Sequence, residues 1–185
     1  MPTLSAPRTT PSGTDRLRLR SLKADDAERL VDSFAHLSLE SRHLRFFYPK
    51  KLLSPAEIDL LTHPDHREHE AVAAFSRGSG VLLGVARFVR EPDDPSVASV
   101  TAIVGDRFQG HGVGTALLGE VAARARQVGV RRLRADILAE NRRMRELAFR
   151  LWPAHRTAHR GLGVVEVEFD LTAGEADPIP AATAA

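Results

Sequence analysis

DRFQGHGVGTALL, Asp106–Leu118, sets Gly110, Gly112 and Gly114 at alternate positions between a β-branched run and an apolar helical pattern. A strand that enters a glycine turn and leaves as a helix presents unpaired backbone N–H groups at the helix start, where they can hold phosphate. Glycine also lets a ligand approach backbone that a Cβ would keep at a distance. On these residues alone two readings stand: a cradle for a phosphorylated ligand, and a tight turn whose glycines only satisfy geometry. The spacing is not GxGxxG and no GK[ST] follows, so NAD and ATP fall behind another phosphorylated cofactor.

Working outward, VASVTAIV before the loop alternates as a strand: Val97, Ser99, Thr101 and Ile103 share one face, Ala98, Val100, Ala102 and Val104 the other. After it, Val113, Leu117, Val121, Ala125 and Val128 recur at helical spacing, and the helix is expected to end near Gly129. RRLRADIL reads as a strand. Asn141 caps a helix with Met144, Leu147, Ala148 and Leu151 facing inward and Pro153 ending it. GVVEVEFDL is a strand expected near a sheet edge, because its charges alternate. Toward the N-terminus, RLRLRSL is a strand and KADDAERLVDSFAHL a helix with Ala27, Leu30, Val31 and Phe34 on one face. SLESRHLRFFYP mixes helix and loop and is where substrate recognition is expected, whereas SPAEIDLLTHPDH carries a Ser cap and a Pro at the first helical position. EAVAAFSR and VLLGVARFVR flank GSG as two antiparallel strands. This order places the chain in the α/β (α+β) class, with one central, mixed but mostly antiparallel twisted sheet flanked by helices.

At 185 residues the chain fits a single domain. The ordered unit is expected over residues 15–171, between a disordered tail at 1–14 and a flexible one at 172–185, both rich in small residues and Pro. The formal charge of +2 disfavours nucleic acid as a partner. The absence of cysteine excludes thiolate nucleophiles and sulfur-ligated metals. With no secretion signal and no run near the roughly 18 apolar residues of a membrane span, a cytoplasmic protein without a membrane partner is expected.

VGDRFQGHGVGTALL resembles the coenzyme A-binding signature of the GCN5-related N-acetyltransferases, matching at Val104, Gln109, Gly110, Gly112 and Gly114, with Asn141 at a fitting distance. The resemblance implies acetyl-CoA as cosubstrate and no metal. Backbone at Ala102, Ile103 and Val104 would hold the pantetheine arm beside a β-bulge. The loop of Gln109, Gly110, His111, Gly112, Val113, Gly114 and Thr115 would surround the pyrophosphate, and Asn141 would lie near the lower arm. LSLESRHLRFF, LLTHPDHREHEAVAAF, LLGVARFVR and LAENRRM resemble more narrowly the catalytic domain of actinobacterial protein lysine acetyltransferases that modify acyl-CoA synthetases. The implied acceptor is a lysine of such a synthetase.

A free lysine has a pKa near 10.4, so attack on a thioester needs a proton acceptor. In the resembled group a Glu on the strand before the loop takes the proton; its position here is Ser99, whose hydroxyl orients water but stores no proton. Glu40, beside the aromatic loop, is the other catalytic candidate, and Glu91, Asp93 and Asp94 are carboxylates in the turn before the strand. A Tyr that protonates the leaving thiolate in many relatives falls near Ala148, and the only tyrosine is Tyr48. His63, His66 and His69 have a spacing open to metal, but Pro64 disturbs that helix. Alternatives are a small-molecule amine acceptor, favoured by a deep acidic pocket near Glu91–Asp94 where an open groove by Arg45 favours protein, and a non-catalytic acetyl-CoA-binding regulatory module. The chain is expected to be a monomer, or a homodimer joined through the VEVEF edge.

Overall fold

The computed structural model describes residues 17–172. The expected tails at 1–14 and 172–185 lie outside the described residues, apart from Thr172. Strand β1 (Leu17–Ser21) leads through a 3₁₀ turn to helices α1 (Ala27–Ala35), α2 (Leu39–Phe46) and α3 (Pro55–Thr62), then strands β2 (His69–Ser76), β3 (Leu82–Arg90) and β4 (Val97–Val104). A second 3₁₀ turn, Asp106–Phe108, precedes α4 (Val113–Gln127), β5 (Arg132–Leu138), α5 (Arg142–Leu151), β6 (His155–Gly161) and β7 (Val164–Asp170). The strands form one sheet in the order β1-β2-β3-β4-β5-β7-β6, antiparallel except where β4 meets β5.

Local chemistry explains the helix starts. Ser38 accepts from the Ser41 amide to open α2, and Asn141 accepts from the Met144 amide to open α5. Ser54 and Glu57 form a reciprocal capping box on α3, with Pro55 in its first turn. Strand β2 is buried on both faces because the sheet is covered on both. Ala71, Ala73, Phe75 and Val85 pack with Leu30 of α1 and with Ile58 and Leu61 of α3. Val72, Ala74, Ala86 and Phe88 pack with Leu117, Leu118 and Val121 of α4. Each such fully buried Leu or Val stabilises the fold by about 1.5–3 kcal/mol.

Two expectations need correction. Val31 does not share the buried face of α1: it is 43% exposed, and Leu30 and Phe34 alone turn fully inward. Strand β7 is not an edge, because β6 pairs along its outer side from His155–Phe169 to Gly161–Val164. That covers VEVEF and removes it as a route to a dimer. The alternating charges that read as an exposed edge are satisfied across strands: Glu168 meets Arg132 at 3.3 Å and Arg134 at 3.1 Å, and Glu166 meets Arg160. HRTAHRG was not read as a strand because it has little apolar alternation; it is held by the hairpin through Leu162 and Gly163, and its residues after His155 are exposed.

Asp26, 1% exposed, ties the first strand to the first helix. It accepts from Arg20 at 2.5 and 2.8 Å, from Arg29 at 3.0 Å and from the Lys23 amide at 3.0 Å. Gly84 lies where Leu117 of α4 packs closely on the sheet. A Cβ there would stand 2.7 Å from the Ile103 carbonyl oxygen and 3.1 Å from both Leu117 Cδ1 and Val104 Cα. Since strand backbone cannot step aside as a flexible side chain can, Gly84→Ala is expected to cost about 1–3 kcal/mol. In a thermal melt this is a drop of roughly 3–10 °C, and an unchanged midpoint would show that β3 and β4 separate freely there.

Candidate functional site

Strands β4 and β5 run in parallel register only at Val97–Arg132, Ala98–Leu133 and Ser99–Arg134. Beyond Ser99 they diverge, while β4 continues to pair with β3 up to Val104–Gly84. A wedge therefore opens beside residues 100–104, whose backbone groups on that side have no strand partner. The first turn of α4 closes one wall: Gly114 would place a Cβ 3.0 Å from Leu147 of α5 and 3.8 Å from Val104. Gly112, at φ 82°, occupies the N-cap of α4 without a side chain to cap it, so the first amides of the helix face the wedge mouth uncapped. The chemistry of this donor set fits an extended amide-bearing arm along β4 and a pyrophosphate at the loop.

Gln109, Gly110, His111, Gly112, Val113, Gly114 and Thr115 thus come together with Ala102, Ile103 and Val104 around one opening, and Asn141 starts the helix that forms its far wall. His111 is exposed. The Gln109 carboxamide donates to the Val104 carbonyl at 3.1 Å and to Ser41 Oγ at 3.2 Å, which fixes the loop to the strand and to α2. Asp106 was not singled out in the sequence, yet it is the hub of this corner. Its carboxylate accepts from the Ser38 amide at 2.7 Å, from the Ser38 and Ser41 hydroxyls and from Gln109 at 3.3 Å. Partial burial raises its pKa, but the hydrogen bonds from Ser41 and Ser38 outweigh that and hold it below the usual carboxylate range. An acidic residue three before Gln109 was the available signal; its partners lie 68 and 65 residues away.

On the opposite face of β4, Ser99 donates to the Val89 carbonyl at 3.3 Å. Glu40 is exposed in the first turn of α2. Tyr48 is 52% exposed and accepts from Lys50, while Ala148, at the position of the expected acid, is 1% exposed. Asp94 accepts from the Ser96 amide and pairs with Arg132 at 2.8 Å, so it ties down the turn. The three histidines of HPDHREH go to separate neighbours: His63 pairs with Asp59, His66 with Glu70 at 2.8 Å, and His69 is buried in β2 with Nε2 unbonded. Burial, then the Arg87 charge, pushes the His69 pKa down.

A cavity of about 130 Å³ lies over this face, between α1, α2, α3 and strands β3 and β4. Arg45, Arg87 and Glu57 reach it among Leu30, Phe34, Phe46 and Leu61, with Thr101 and Ile103 contributing from β4. The space by Arg45, where an open groove would favour a protein acceptor, is a partly open, basic and largely apolar pocket. Phe46 packs edge-on against Phe34 at 5.8 Å, whereas Phe47 is 42% exposed because it takes a left-handed conformation, φ 66°, at the end of α2.

Residues 16–151 match the family model of the acetyltransferase (GNAT) domain. The chain is 33% identical over 153 residues to Acetyltransferase Pat of Mycolicibacterium smegmatis, covering 83% of this chain and 45% of that protein. It therefore spans less than half the length of that curated relative. It is 30% identical over 131 residues to Acetyltransferase PA5475 of Pseudomonas aeruginosa, covering 70% of each. Among solved structures, the GNAT domain of S. lividans PAT superposes with a TM-score of 0.75 at 34% identity, over 83% of this chain and 90% of that one. The yncA protein of Salmonella typhimurium, solved with acetyl-CoA, shares the fold at a TM-score of 0.68 and 15% identity, over 89% and 99%.

Proposed function

Because the chain belongs to the acetyltransferase (GNAT) domain family, we propose that it transfers an acetyl group from acetyl-CoA to a protein lysine amine, with an acyl-CoA synthetase as acceptor. The observation that carries this reading is the wedge between β4 and β5 facing the uncapped glycine turn of α4. The match to Acetyltransferase Pat and to the GNAT domain of S. lividans PAT over most of the chain supports acetyl transfer.

In this reading, backbone at Ala102, Ile103 and Val104 binds the pantetheine arm, the amides from Gln109 to Thr115 bind the pyrophosphate, and Asn141 positions the helix beside the lower arm. Acetyl-CoA supplies the activated acyl group. An unpaired amide near Val104 polarises the thioester carbonyl, and positioning with oxyanion stabilisation provides much of the rate. The attacking nitrogen bonds to the carbonyl carbon and the carbon–sulfur bond breaks. The amine proton passes to water oriented by Ser99, or to Glu40. The thiol, with an acidity near pKa 8.5, leaves as thiolate without a dedicated acid. The protein acts in the cytoplasm, where acetyl-CoA and the synthetase are available.

The test is acetyl-CoA consumption by the purified protein with an acyl-CoA synthetase, with mass spectrometry locating the modified lysine. Label on one synthetase lysine is the expected result. Turnover on small amines alone would replace the acceptor, and binding without turnover on any amine would make the chain a regulatory module. Because Asp106 joins the loop to α2, Asp106→Ala is expected to weaken coenzyme A binding about tenfold by calorimetry, equivalent to about 1.4 kcal/mol. Unchanged affinity would show that Gln109 holds the loop without it.

A further inference from the structure

Several part-buried arginines elsewhere in the fold have an acid: Arg20 with Asp26, Arg124 with Glu70 and Glu120, Arg132 with Asp94, Arg134 with Glu168; Arg42 and Arg145 instead donate to backbone carbonyls. Arg45 and Arg87, in the cavity over β3 and β4, differ. Neither has a carboxylate within 4.0 Å among the described residues. Arg45 donates to Thr101 Oγ1 at 2.8 Å, and the Arg87 side chain makes no hydrogen bond to a described residue. Glu57, the one acid lining the cavity, is engaged elsewhere: Oε1 meets Lys50 Nζ at 2.9 Å, and Oε2 accepts from the Ser54 amide and hydroxyl at 2.8 and 2.9 Å. Burial first, and the neighbouring Arg87 charge second, pushes the Arg45 pKa down to about 10. Two half-buried like charges among Leu and Phe side chains, with the Glu57 charge attracting both and the Phe46 ring 4.8 Å from the Arg45 guanidinium, are further stabilised when an anion joins them.

We propose that this cavity is a subsite for a carboxylate carried by the substrate, held between the Arg45 and Arg87 guanidinium groups. The proposal rests on the acyltransferase reading and replaces one of its two substrates, since neither an acetyl group nor a protein lysine side chain carries a carboxylate. A guanidinium pairs with carboxylate through two parallel hydrogen bonds; Arg45 bonds Thr101 and Arg87 stands opposite Thr101 across β3 and β4, two to three residues along β4 from the backbone at Ile103 and Val104. The cavity has room for roughly four groups the size of water, enough for a carboxylate on a short chain. A carboxylate this close to the wedge has two sources. It is the terminal carboxylate of a dicarboxylic acyl-CoA delivered to the acceptor amine, or the α-carboxylate of an amino acid that is itself the acceptor.

Calorimetry with the full chain separates these. Coenzyme A, acetyl-CoA and succinyl-CoA are titrated first, then glutamate and methionine and their α-amides into the coenzyme A complex. The expected result is at least tenfold tighter binding of one carboxylate-bearing ligand than of its uncharged counterpart. Preference for succinyl-CoA assigns the carboxylate to the donor, and preference for an amino acid over its amide assigns it to the acceptor. In Arg45→Met and Arg87→Met the preference falls to less than twofold while coenzyme A affinity is kept. Arg87→Met should melt no lower than the parent, since it removes one of two neighbouring like charges and no side-chain hydrogen bond, whereas Arg45→Met also gives up the Thr101 hydrogen bond and the Phe46 ring contact; a loss of several degrees in Arg87→Met would mark that arginine as structural and overturn the proposal. Equal affinity for charged and uncharged ligands, with coenzyme A bound, also overturns it. Failure to bind coenzyme A overturns the acyltransferase reading and the proposal with it.

Discussion

Ser99→Glu is expected to raise acetyl transfer to a lysine amine by about a hundredfold at neutral pH, the lower range of what a positioned general base provides. Ser99 stands opposite Val89 on β3, one row from the Arg87–Thr101 pair, on the face of β4 that turns toward the cavity. A carboxylate there lies diagonal to Arg87 at about 7–8 Å between backbones, within reach of both side chains. The Arg87 charge holds such a carboxylate ionised at neutral pH, ready to take the amine proton directly or through water. The gain should appear in kcat, with coenzyme A affinity unchanged because the wedge and the α4 turn lie on other parts of the strand. The same variant should lose preference for a carboxylate-bearing ligand, since its own carboxylate then occupies the arginines. Single-turnover rates at saturating acetyl-CoA measure this. An unchanged rate would show that proton removal is not limiting and that water at Ser99 suffices.

Asp26→Ala should cost about 3 kcal/mol, toward the lower end for breaking a buried ion pair because Arg20 and Arg29 keep some solvent contact. For a domain of this size that is roughly a 6–12 °C lower melting midpoint. The Arg20 hydrogen bonds, ahead of the penalty from burial, pull the Asp26 pKa below its ordinary value. A depressed carboxylate pKa stabilises the fold above the unfolded value, near 3.9, and that contribution disappears as pH falls through the folded value. Stability of the parent should therefore drop as pH is lowered from about 5 through 4 and below. Asp26→Asn should be less stable at pH 7 and show a shallower fall over that window. Parallel urea melts at pH 7, 5 and 3.5 test this, and an identical acid slope in parent and variant would remove Asp26 as a source of acid sensitivity.

How much could be read in advance depended on the range of the interactions. The glycine turn, the α4 stripe from Val113 to Ala125 and the Ser54 and Asn141 caps rest on residues within a few positions of one another, and the structure shows each where its pattern stands. The β4 alternation likewise separates Thr101 and Ile103 at the cavity from Ala98 and Val100 under α4. By contrast, β6 has too polar a sequence to show a period, and only its pairing with β7 makes it a strand. Arg87 carried a faint signal, a charge on the same strand face as the apolar Val85 and Val89, but nothing local showed that it would meet Arg45, 42 positions earlier in the chain. Periodicity, capping and turn chemistry are short-range properties that the sequence determined by itself. Which face each helix covers, which strand closes the sheet and which charges are left without a partner were decided only by tertiary packing, because burial and ion pairing depend on neighbours that the folded chain alone brings together.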